Sequence, residues 1–99
     1  MTAYCKQKRL IAINEIEKIV SEYGYIVDFK PFSEISLILN IEIEELNIDK
    51  LYFALKSYMG MKDFEELRSH SNRERTVFLN ITFVQGTGDL IIESPAVPG

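Results

Sequence analysis

Period-two alternation constrains this chain more than any other feature. From Ile35 to Ile43 the apolar residues Leu37, Leu39 and Ile41 alternate with Ser36, Asn40 and Glu42. Successive side chains of a strand point to opposite faces, so a run of this length predicts a strand with one face on a core. In the segment before it, Tyr25, Val27 and Phe29 alternate with Ile26, Asp28 and Lys30, and Pro31-Phe32-Ser33 joins the two runs. Opposed residues of an antiparallel pair share a face, which predicts Phe29 opposite Ile35, Val27 opposite Leu37, Tyr25 opposite Leu39 and Ile26 opposite Ile38.

Helical spacing governs two other segments. Between about Ala3 and Tyr23, the residues Cys5, Ala12, Ile16, Ile19 and Tyr23 fall on one stripe at ~100° per residue. Gly24 follows, the residue type that best tolerates a left-handed helix end. Asn47 can cap a second helix by accepting from a first-turn amide. Ile48, Leu51, Tyr52, Leu55 and Met59 form its stripe, which ends at Gly60, while Phe53 points away. Residues 61–75 are less regular, with a short helical turn expected at Asp63 and a loop at Ser69-His70-Ser71-Asn72.

A last hairpin is expected from Thr76 onward, with Val77, Leu79, Ile81 and Phe83 on one face and Phe78 and Val84 on the other. Gly86-Thr87-Gly88-Asp89 supplies its turn, which sets Phe83 against Ile92 and Val84 against Ile91. Pro95 and Pro98 end the pairing, so residues 94–99 read as a tail.

The order helix, strand, strand, helix, strand, strand predicts a single α+β domain over residues 1–99. Its expected architecture is a four-stranded, mainly antiparallel sheet with both helices packed on one face. The same order arises from a circularly permuted ferredoxin-like plait, an analogy that carries no function. At 99 residues, a chain buries roughly 65% of its unfolded surface, enough for a core without staples.

Charge and composition exclude several classes of function. The 11 Lys and Arg are outnumbered by 15 Asp and Glu. Without a basic footprint, neither nucleic acid nor an anionic membrane is an expected partner. No stretch reaches the length of a membrane span, and Asn14, Glu15, Glu17 and Lys18 interrupt the early apolar run before it can serve as a signal sequence. One cysteine and one histidine assemble no zinc site, and no cofactor, metal or catalytic group is expected. A reducing, cytoplasmic setting is the expectation.

Two surfaces are candidates for function. If odd-numbered strand residues face the core, then Ile26, Ile38, Phe78, Val84 and Ile91 lie on the open sheet face. Together they would form an apolar patch suited to a homodimer or another protein partner. Phe53, turned off its helix stripe, joins them as an interface candidate. The second surface is the segment 68–75, where Arg68, His70, Arg73 and Arg75 could hold a small anionic ligand, in a binding protein or an enzyme, through guanidinium forks and a titrating imidazole. The reading favoured is a non-enzymatic interaction or self-association module acting through the sheet face. The acidic run Glu42, Glu44, Glu45 and Asp49 lacks calcium-loop spacing and reads as solvated surface.

Overall fold

A computed structural model describes residues 1–84 of the chain. Its elements are β1 (Thr2–Cys5), α1 (Arg9–Ser21), β2 (Gly24–Ser33), β3 (Ser36–Glu44), a 3-10 turn (Glu45–Asn47), α2 (Ile48–Lys56), β4 (Gly60–Met61) and β5 (Glu74–Phe83). The strands form one sheet in the order β2-β3-β5-β1-β4. All neighbours are antiparallel except β1 and β5, which run parallel. The expectation of four strands is therefore corrected to five, in a sheet that is mainly antiparallel as expected but mixed through its one parallel pair. The expected turn at 86–89 and the returning strand with Leu90, Ile91 and Ile92 lie outside the described residues, as does the tail 94–99.

The extra strand comes from the start of the chain. Cys5 stands seven residues before Ala12, two helical turns, so it fits the helical stripe, yet Ala3 and Cys5 also alternate with Thr2 and Tyr4. Pairing decides between the two periods: Ala3 lies opposite Ile81 and Cys5 opposite Phe83. Both are fully buried, and α1 starts only at Arg9.

Elsewhere the alternation holds. Leu37, Leu39, Ile41 and Ile43 of β3 and Leu79, Ile81 and Phe83 of β5 are buried in one cluster with Ala12, Ile16 and Val20 of α1 and Ile48, Leu51 and Leu55 of α2. Both helices thus cover the same face of the sheet. β3 and β5 pair along their whole lengths, from Ser36 opposite Thr82 to Glu44 opposite Glu74.

In β2 the expected parity fails from Tyr25 to Val27 and holds at Phe29, while the register is shifted throughout. Ile26 pairs with Ile41 and Phe29 with Leu39, three and four residues away from the register that the alternation suggests. Between Ile26 and Asp28 the strand carries one extra residue, Val27. Such a bulge reverses the facing of everything beyond it. Ile26 therefore looks inward and packs against the core, Tyr25 and Val27 are exposed, and Phe29 faces the helices but stays partly uncovered.

Local geometry explains three further differences. Gly24 opens β2 because of space: a Cβ there would come within 2.5 Å of the Glu42 carbonyl oxygen and 2.9 Å of Ile43 Cβ. Asn47 does not cap α2, since the 3-10 turn ahead of it holds its own backbone helical (φ −97°, ψ −6°), whereas a cap needs extended backbone. Its amide donates instead to the Tyr23 carbonyl at 3.4 Å.

The helical turn expected at Asp63 is also absent, and residues 62–73 carry no regular structure. They run from β4 back to the start of β5, and extended chain covers more than twice the distance per residue that a helix does. Phe64 anchors this stretch by stacking on the Tyr52 ring at 4.9 Å. Asp49 holds it to α2 by accepting from the amides of Leu67 (2.9 Å) and Arg68 (2.8 Å). Among the described residues, no helix is long and apolar enough to cross a membrane.

Candidate functional site

The segment 68–75 is tied to the 3-10 turn through its backbone. The Glu45 amide donates to the Arg73 carbonyl and the Leu46 amide to the Ser71 carbonyl, each at 2.9 Å. Side chains then converge on the Glu45 carboxylate, which accepts from the Ser69 hydroxyl at 2.6 Å and from Arg75 Nε at 2.6 Å. The Ser69 hydrogen bond, followed by that of Arg75, holds the Glu45 carboxyl below its ordinary value of 4.5.

This arrangement divides the four ligand-binding candidates. Arg75 is engaged by Glu45, and Arg68 lies 3.7 Å from Glu66. Arg68 and His70 line an open cleft of about 470 Å³ with Asp49 and Lys50, whereas Arg75 lines a separate one of about 400 Å³ with Glu45 and Thr76. Arg73 lines neither. The guanidinium groups are not gathered around one volume.

Three of the four acidic side chains are likewise occupied within the fold. Glu42 accepts from the Thr76 hydroxyl, Glu45 from Ser69 and Arg75, and Asp49 from two backbone amides. Among the described residues no three His, Cys, Asp or Glu side chains come together as a metal site.

The interface candidates are also dispersed. Ile26 is on the helix side, which corrects its expected place on the open face. Ile38 and Phe78 do lie on that face, as diagonal neighbours, because Ile38 pairs with Asn80 and Phe78 with Asn40. Val84 stands six residues beyond Phe78, about 20 Å along the strand. Phe53 is half exposed on α2 and meets Tyr52 edge-on at 5.4 Å. Ile91 lies outside the described residues.

Alternation alone did not reveal a third surface, around the free end of the β2–β3 hairpin. Arg9 Nη1 donates at 2.8 Å to the carbonyls of both Ser33 and Glu34. Its guanidinium also lies over the Phe83 ring, 5.6 Å from the centroid. These contacts bring the first turn of α1 beside the hairpin end. Leu10 (79% exposed) and Ile11 (53%) lie on that turn, and Phe32 (70%) and Ile35 (57%) on the hairpin. Val27 and Phe29 continue the exposed apolar groups down β2. β2 is also the outermost strand of the sheet, so one edge of its backbone is unpaired among the described residues. The sequence signal was present in Pro31-Phe32-Ser33-Glu34-Ile35, where two large apolar residues occupy a connection that polar residues usually fill.

No known family model, curated protein or solved structure matches the chain.

Proposed function

We propose that this protein is a self-association module and that a second copy of the chain covers the hairpin arm formed by Leu10, Ile11, Val27, Phe29, Phe32 and Ile35. The observation that carries the reading is the exposure of these six side chains in one region of the fold. With a whole aromatic side chain worth ~150–250 Å² and the aliphatic ones somewhat less, these exposures amount to roughly 600 Å². A stable complex commits ~800 Å² from each partner, so the arm supplies most of one standard interface. Exposed apolar area on this scale is at the upper end of the largest patch a monomer carries, a size that often marks an association site. The open-face alternative has less to offer, since among the described candidates only Ile38 and Phe78 are neighbours there.

Light scattering after size exclusion tests the reading. The wild-type chain is expected at dimer mass, Phe32→Glu and Leu10→Glu at monomer mass, and Phe78→Glu still at dimer mass. A wild-type chain that stays monomeric at high concentration ends the proposal. A dimer broken by Phe78→Glu and untouched by Phe32→Glu moves the interface to the open face.

A further inference from the structure

The edge strand that carries the apolar arm also carries one acid and one base, and their spacing selects a register. Asp28 and Lys30 lie on the open face, opposite Asn40 and Ile38 of β3, while Phe29 between them faces the helix side opposite Leu39. Both charged groups are well exposed, and their own contact is loose, at 4.0 Å. Among the described residues their only sheet neighbour is β3, which leaves the other side of β2 open to a further strand.

Two copies that extend one sheet about a two-fold axis must pair residues of the same face, which permits only every second register. Three of these lie within the regular stretch from the bulge at Val27 to Pro31. Centring on Asp28 sets the two Asp28 carboxylates against each other, and centring on Lys30 opposes two ammonium groups. Centring on Phe29 sets Asp28 of each copy against Lys30 of the other, twice over, with the two Phe29 rings meeting on the helix side. Like charges directly opposite are unfavourable and opposite charges favourable.

We propose, resting on the self-association reading, that β2 pairs antiparallel with β2 of a second copy about a two-fold axis at Phe29, joined by reciprocal Asp28–Lys30 pairs. The partial exposure of Phe29 on the core side of the sheet follows, because its remaining cover is the same ring of the other copy. The bulge at Val27 and the missing amide of Pro31 confine the pairing to a short stretch. The two-fold axis closes the assembly at two copies, so the edge does not template an open-ended ladder.

Charge reversal tests the register by sedimentation equilibrium. Asp28→Lys opposes lysines at both contacts and Lys30→Asp opposes aspartates, so each variant alone is expected to dissociate about tenfold more readily than wild type. An equimolar mixture of the two restores opposite charges at both contacts and is expected to form a heterodimer of near wild-type affinity, as is the homodimer of the double variant. Circular dichroism verifies that each variant is folded. A wild-type dimer indifferent to both single changes, or single variants that weaken without rescue on mixing, overturns this register and leaves self-association standing. A monomeric wild type overturns both.

Discussion

Arg75 Nε lies 2.6 Å from a carboxylate oxygen of Glu45, which joins the start of β5 to the turn that leads into α2. Ser69 donates to the other oxygen of the same carboxylate. These donors favour the ionised form and hold the Glu45 pKa below 4.5. A depressed acid pKa contributes stability that is present above the unfolded value and lost as pH falls through the folded one. Denaturant titrations are therefore expected to show wild type losing more stability than Glu45→Gln as pH drops below 4.5. Equal losses for the two proteins would show that this carboxylate contributes nothing to acid sensitivity.

Gly24 sits where a side chain has no room. Gly24→Ala would drive a methyl group to within 2.5 Å of the Glu42 carbonyl oxygen and 2.9 Å of Ile43 Cβ, both across the β2–β3 pair. Backbone on one side and a buried residue on the other leave little to yield. The expected cost is that of overpacking, about 1–3 kcal/mol. It is read as a lower urea midpoint with an unchanged slope.

Arg9 ties α1 to the hairpin end, where the Phe83 amide also donates to the Ile35 carbonyl at 2.8 Å. Arg9→Ala removes two hydrogen bonds to carbonyls in an exposed setting, for an expected loss of about 1 kcal/mol. The informative measurement is local. Hydrogen exchange at the Phe83 amide should quicken, whereas the Leu39 amide in the middle of β3 should follow only the change in global stability.

Tyr58 carries a buried hydroxyl with no hydrogen-bond partner among the described residues. Burial raises its pKa, with the Cys5 thiol and Glu15 carboxylate adding to the shift. An unpartnered buried hydroxyl is a cost to the fold, so Tyr58→Phe is expected to stabilise by about 1 kcal/mol. The same raised pKa means that wild type loses stability as pH rises above 10.0, the ordinary tyrosine value, while the Phe variant lacks this contribution. A destabilised Phe variant would show that the hydroxyl has a partner.

The candidate surfaces were legible in unequal measure. Ile38 and Phe78 could be assigned to the open face because β3 alternates without a break over its nine residues and β5 does so from Thr76 to Phe83. Ile26 could not, because the inserted residue Val27 reverses the count, and a bulge leaves no mark in the hydrophobic pattern. The cluster of Arg68, His70, Arg73 and Arg75 was visible as composition. That Glu45 takes up Arg75 was not, since the two stand thirty positions apart.

What the sequence determined by itself is whatever repeats along the chain: the inward faces of β3 and β5 and the buried stripe of α2. Such patterns act between near neighbours, so they are readable without the fold. Only the tertiary structure decided that Thr2–Cys5 is a strand beside β5 rather than the start of a helix, and that the sheet is mixed. It alone left the apolar hairpin arm outside the core. Those outcomes depend on which distant segment supplies hydrogen-bond partners and which apolar surface the two helices are long enough to cover.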